Sequence, residues 1–225
     1  MIDPTHFQHI VRTRRVARQF LSTPLAEEQL NDLLLDAQHS PSNCNTQPWV
    51  VHLVSGATLD VLSAALREAD DRGHLTPDFA FDMQGYTGVH AQRAQCSGRA
   101  RYEAINVSRD DKVGRQAAMR HNLSFFDAPH VALLFMPRID DCVRSAGDLG
   151  MYAQTFLLSL HARGLAGIPQ TLLGLYAQTV REVLGVEEEL QLMFGISFGH
   201  ADPLSPANFV EVGRAALSES VIRHY

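Results

Sequence analysis

Three stretches of the sequence gather side chains suited to holding an anionic, hydrogen-bonding ligand. The first, Arg14-Arg15-Val16-Ala17-Arg18-Gln19-Phe20, sets guanidinium groups one, three and four residues apart. Guanidinium forks offer paired N–H donors, so this spacing suits a phosphate together with the electron-rich edge of a ring. Standing alone, it reads equally well as a solvated basic face. The second stretch, Ser40-Pro41-Ser42-Asn43-Cys44-Asn45-Thr46-Gln47-Pro48-Trp49, packs small side chains and amides between two prolines. A rigid polar loop of this kind can hydrogen-bond to hydroxyls and ring edges. The third, residues 162–170, ends an apolar helix at Gly164 and presents backbone groups around Ile168 to Leu172.

Other chemical patterns carry less. Gly195-Ile196-Ser197-Phe198-Gly199 matches the GxSxG of a hydrolase nucleophile elbow, which requires a strand, a sharp turn and a helix. Here His200-Ala201-Asp202-Pro203 follows, which is turn chemistry, so a strand using small residues for close packing is the better reading. His6 and His9 lie three apart, but no HExxH or Cys/His ligand spacing accompanies them, and no metal is expected. Neither GxxxxGK[ST] nor GxGxxG occurs. A redox cofactor would therefore need another phosphate device, and no side chain stands out as a catalytic acid, base or nucleophile.

The elements that must position these residues follow from periodicity. A short helix over 4–14 carries Phe7, Ile10 and Val11 on one face. Thr23-Pro24 reads as an N-cap with proline at N1, and Glu27 and Glu28 fall in the first turn of the following helix. Residues 49–54 read as a strand, and a helix starts near Thr58. Residues 71–91 show no period, and 70–125 as a whole is an irregular excursion with helical stretches near 92–105 and 111–124. Residues 130–136 form a buried strand, 146–163 the clearest helix, 179–184 a further helix and 190–198 a last strand. Residues 200–225 make a C-terminal arm too long for a simple end. The predicted fold is a single α+β domain over 1–225, a small sheet wrapped by helices.

Composition narrows the partners. The 225 residues carry formal net charge −6, against nucleic acid or an anionic membrane as the main partner. Three cysteines without a CxxC argue against a disulfide framework and for the cytoplasm, and the first residues lack the basic and apolar regions of a secretory signal. No apolar run is long enough to span a bilayer.

Together the motifs RRxxRxF, PSxxNTQPW, a late helix ending in GL…PQ and a C-terminal GR resemble the nitroreductase family, from about residue 10 to 217. The tail, with Pro206-Ala207-Asn208 and Gly213-Arg214-Ala215, is similar to the subgroup acting on nitrobenzoate-type substrates. The resemblance implies a homodimer with FMN in its interface. It implies a mixed, mainly antiparallel sheet under helices, completed by a domain-swapped C-terminal extension. By position, Arg14, Arg15 and Val16 would lie along the ribityl phosphate, with Arg214 closing on it from the tail. Arg18 would face the pyrimidine edge, where its charge stabilises the reduced ring. Pro41, Ser42, Asn43, Asn45 and Gln47 would come from the second copy, and Pro169, Gln170 and Thr171 would lie over the ring.

The implied activity is ping-pong reduction of nitroaromatic or quinone-type acceptors by NADPH or NADH, with flavin N5 carrying the chemistry. The same scaffold supports biosynthetic oxidation and dehalogenation, and a flavin-free binding module is a further alternative. Two departures bear on the phosphate. Val16 stands where the family usually has serine, and Glu211 stands where many relatives have a second arginine. Gly85-Tyr86-Thr87-Gly88 and Phe125-Phe126 are candidates for the acceptor site, the two phenylalanines being better read as core.

Overall fold

Residues 131–136 form one unbroken apolar run, and a strand can bury such a run only when both of its faces are covered. In the computed structural model, which describes residues 3–225, this strand is β2 (His130–Pro137), buried from His130 through Met136. It lies within a four-stranded sheet of order β1-β2-β4-β3, formed with β1 (Val50–Ser55), β3 (Ala166–Gln170) and β4 (Leu190–Gly199). All three pairings are antiparallel, so the sheet of one chain lacks the parallel component expected of a mixed sheet.

Alternation along the strands feeds two cores. On one face Ala132, Leu134 and Met136 meet α2 (Glu27–Gln38) and α6 (Val143–Ala162) through Leu33, Ala37, Leu149, Ala153 and Phe156. On the other, Val131, Leu133 and Phe135 meet α3 (Gly56–Asp71) and α8 (Ala177–Leu184) through Leu62, Leu66, Ala177 and Val180. A bulge in β4 keeps both faces apolar: Leu134 pairs with Phe194 but Phe135 with Leu192. The extra residue, Met193, switches parity, so Leu192 joins the α3 side while Ile196 and Phe198 join the α6 side.

Several boundaries differ from the sequence reading, each for a tertiary reason. The helix predicted to begin at Thr23-Pro24 begins at Glu27, because Leu25 is buried and its N–H donates to His130 Nε2 at 2.9 Å, holding that segment extended. Glu27 and Glu28 do occupy the first turn. Within the excursion, α4 (Gly88–Ala104) and α5 (Lys112–Arg120) are regular helices. The second stops short of 124, where the backbone turns left-handed at Phe125, Phe126 and Asp127. The backbone groups expected to be presented around Ile168 to Leu172 belong to strand β3, residues 166–170, and to the single turn α7 (Thr171–Gly174) that follows.

Two parts of the chain lack a cover. Helix α1 (Pro4–Thr13) has no buried residue and packs along α6, leaving Phe7 63% and Val11 41% exposed. The C-terminal arm forms no strand; from residue 211 onward every residue is exposed, with Leu217, Ile222 and Tyr225 among them. No helix among the described residues is long and apolar enough to cross a membrane.

Because Leu133 is fully buried at the centre of the sheet, Leu133→Ala is expected to cost about 2–5 kcal/mol. Urea unfolding followed by circular dichroism would show the midpoint falling with the slope unchanged.

Candidate functional site

Arg14 is the C-cap residue of α1, its N–H bonded to the Ile10 carbonyl at 3.1 Å. Beyond it the chain is extended and pinned by burial of Ala17 and Phe20, while the Phe20 N–H donates to the Phe126 carbonyl at 3.0 Å. Asn208 then clamps the main chain from the arm. Its Oδ1 accepts from the N–H groups of Arg18 (2.7 Å) and Gln19 (3.1 Å), and its Nδ2 donates to the carbonyls of Gln19 (2.8 Å) and Asp202 (2.9 Å). Ala201 also bridges to Phe20. The segment is thus held by its backbone, and its guanidinium groups are left to act outward.

Those groups divide in three. Burial lowers the Arg14 guanidinium from its ordinary value, and the charge of Arg214 lowers it further, so the arm brings two like charges together. Arg15 instead pairs with Glu211 at 2.5 Å, with both side chains mostly exposed. Arg18 is pushed down to about 10, first by burial and then by the charge of Arg101 on α4. Val16 is half-buried against the α3-side core and offers no hydroxyl.

The loop of 41–49 is strained and tightly braced. Cys44, Asn45 and Gln47 all have φ near +50°, in the left-handed region where side chains are disfavoured. Ser42 Oγ accepts from the Gln47 N–H at 2.9 Å, and buried Asp148 on α6 accepts from the Asn43 N–H at 3.0 Å. Gln47 Nε2 donates to the Asn45 carbonyl at 3.1 Å, while Trp49 Nε1 donates to Gln38 Oε1 at 3.0 Å. Pro41, Asn43, Asn45 and Gln47 are exposed and Ser42 is half-exposed.

This loop anchors through Trp49 in the α6-side core, whereas Ala17 and Phe20 anchor in the other. Among the described residues no hydrogen bond, ion pair or shared cavity wall joins the loop to Arg14, Arg15 or Arg18. One chain does not assemble the whole predicted set. At the end of β3, Pro169 and Thr171 are exposed, but the Gln170 side chain is turned inward. It donates to the Asn122 carbonyl at 2.9 Å and accepts from Ser197 Oγ, so its side-chain amide is engaged within the chain. Ser197 is completely buried in β4, so the hydrolase pattern is a packed strand.

The nitroreductase family model matches residues 11–200. The chain belongs to the nitroreductase family. It is 42% identical to nitroreductase NfnB of Mycolicibacterium smegmatis over 95% of this chain and 90% of that one. It is 30% identical to a 4-nitrobenzoate reductase of Pseudomonas putida, over 92% and 91% of the two chains. The crystal structure of the FMN-dependent NfnB from Mycobacterium smegmatis in complex with NADPH superposes with TM-score 0.94 at 40% identity, covering 98% of this chain and 99% of that one.

In this nitroreductase, sequence reasoning missed Arg101, His121 and Asn208 as parts of the site. A cavity of about 230 Å³ is lined by Arg18, Gln19, Arg101, His121, Phe126 and Ala207, among others. His121 Nε2 lies 3.1 Å from Asp127 Oδ2, which also accepts from Gln19 Nε2 at 2.8 Å. Tyr86 is exposed beside Phe81, whereas Phe125 and Phe126 are core residues, Phe126 also forming one cavity wall.

Asn208→Ala removes the clamp and leaves several main-chain groups without that partner. The expected cost is about 2 kcal/mol in urea unfolding. Amide exchange should quicken at Arg18 and Gln19 while β2 stays protected.

Proposed function

We propose that this chain is an FMN-dependent oxidoreductase that takes electrons from NADPH or NADH and delivers them to nitroaromatic or quinone-type acceptors. The observation that carries this reading is the approach of Arg14 and Arg214, from opposite ends of the chain, with no ion-pair partner for either among the described residues. Two guanidinium groups so placed fit a phosphate monoester, whose charge would offset their repulsion. The kinship with NfnB, described as FMN-dependent and NADPH-bound, supports the same assignment.

FMN, when bound, supplies a two-electron carrier at N5. The protein holds and biases it. Arg14 and Arg214 would grip the phosphate, Val16 would contribute main chain only, and Arg15 would add little while Glu211 neutralises it. Arg18 would lie at the pyrimidine edge, where a fixed positive charge would favour the electron-rich, reduced form. Pro169 and Thr171 would border the ring. No side-chain acid would be needed at the open face, because water can supply protons. Use of that face by NAD(P)H and the acceptor in turn would give ping-pong kinetics.

The working unit is a homodimer, a cytoplasmic one given three unpaired cysteines. In it Pro41, Ser42, Asn43, Asn45 and Gln47 of a second copy complete the site, and the C-terminal arm crosses to the partner. The bare apolar side of α1, the exposed arm and the separation of the loop from the arginines all support this arrangement. Val16, which offers no hydroxyl, and Glu211 on Arg15 are the features that favour a flavin-free module instead.

Purified, desalted protein should therefore be yellow, release about one FMN per chain on denaturation, elute as two chains by light scattering and oxidise NAD(P)H with 4-nitrobenzoate. A colourless protein that takes up no added FMN would overturn the reading. FMN without turnover of a nitroarene or quinone would shift it to another reaction of the scaffold. Arg214→Gln should weaken FMN binding by roughly tenfold, ~1.4 kcal/mol, in line with one charge-assisted hydrogen bond. Glu211→Gln should tighten it, since Arg15 is then freed for the phosphate.

A further inference from the structure

Arg101 sits in the last turn of α4, far from every motif used above, yet its charge is the one felt by Arg18. Both residues line the same cavity. Neither has a carboxylate within ion-pair distance among the described residues, and the Arg18 guanidinium makes no hydrogen bond within the chain. Asp127, next in sequence to the lining residue Phe126, is already engaged by Gln19 and His121.

Arg101 is also fixed in place before any ligand arrives. Its Nη2 donates to the Ala118 carbonyl at 2.7 Å, and its Cζ lies 5.6 Å from the Tyr102 ring centre and 5.9 Å from that of Phe126. Arg115 stacks at 4.3 Å on Tyr102, steadying the ring that Arg101 leans on. Much of the remaining wall is apolar: Ile105, Ala118, Phe126 and Pro206. Two half-buried like charges beside such a wall repel each other unless an electron-rich group sits between them. A cation held rigidly in a poorly screened cavity acts most strongly on whatever charge develops there.

We propose that Arg101 is a second cationic partner of the flavin, facing the pyrimidine edge together with Arg18 and favouring the reduced ring. This rests on the FMN reading above. Arg18 supplies the contact that the arginine motif announces, and Arg101 doubles the charge from an element the motif does not include. The pair distinguishes between oxidation states more than it grips the cofactor, because the pyrimidine edge gains its negative charge only on reduction. Removing Arg101 should therefore change the potential of the bound flavin and leave the affinity for oxidised FMN nearly unchanged.

The test measures the midpoint potential of FMN in the wild-type holoenzyme, Arg101→Gln and Arg101→Lys, together with the dissociation constant of oxidised FMN for each. Arg101→Gln should favour reduction about tenfold less, a fall of about 30 mV for a two-electron couple, with oxidised-FMN binding within about threefold of wild type. Arg101→Lys should keep most of the potential. If Arg101→Gln does not fold, Arg101→His serves instead: its potential relative to wild type should drop as pH rises through the imidazole pKa, near 6.5 unperturbed. An unchanged potential in a folded, FMN-loaded Arg101→Gln, or no added pH dependence in Arg101→His, overturns the proposal. If the potential holds while KM for 4-nitrobenzoate rises and that for a neutral quinone does not, the cavity seats the acceptor's carboxylate. If nothing but stability changes, Arg101 only braces Ala118 and Tyr102. A wild-type protein that takes up no FMN overturns the flavin reading itself, a result separate from these.

Discussion

The double-sided burial of β2 is the constraint on which the rest of this nitroreductase depends. A strand that is apolar on both faces needs a layer of helices on each side, and the four-stranded sheet becomes a wall through the middle of the chain. The arginine segment is anchored on one side of that wall through Ala17 and Phe20, and the amide-rich loop on the other through Trp49. A single chain therefore keeps its two candidate ligand-binding segments apart for the same reason that it folds. The proposed second copy resolves that separation by bringing the loop of one chain to the arginines of the other.

The electrostatics follow a similar logic. The half-buried acid Asp78 is paired with buried Arg181, and buried Asp148 accepts from a backbone N–H of the loop. Among the described residues Arg14, Arg214, Arg18 and Arg101 have no such acid. Arg15 is the exception, and its partner Glu211 occupies the position where the family resemblance led one to expect a cation. Charge at the proposed phosphate end is thereby reduced locally without disturbing the backbone that carries Arg14. The chain balances its interior charges and leaves unbalanced those that line the candidate site.

How much of this was legible in the sequence depended on whether the deciding interaction was local. The long helix, the buried strand and the arginine and amide motifs were readable because periodicity and residue type act at short range. Strand β3 was not, since Gly167 and Pro169 are poor strand formers. Its edge position tolerates Pro169, and the approach of Leu160 and Leu157 favours Gly167: a Cβ there would lie 2.8 Å from Leu160 Cδ1, which would have to shift. The start of α2 was misplaced because a histidine more than a hundred residues away holds Leu25 extended. Arg101 escaped because α4 has no buried face, so no periodicity marked which side chains point inward. Asn208 is a single amide in a polar tail, and only the fold shows that it spans Arg18, Gln19 and Asp202.

The loop of 41–49 carries the final step of the argument. Left-handed conformations at Cys44, Asn45 and Gln47 cost of order 1–3 kcal/mol each, and glycine at any of them would relieve that cost. Asn and Gln instead retain amides at the surface, and Ser42, Asp148 and Gln38 are committed to holding the shape. A connector between α2 and β1 needs none of this, because a few glycines would turn the chain as well. The strain becomes intelligible if the loop's geometry is set for something outside its own chain. Within one subunit its exposed amides have few partners; against the flavin site of a second subunit they would have donors and acceptors to meet. The energy stored in the backbone then serves to keep those amides arranged before the partner arrives, so that less ordering is required at the moment of binding.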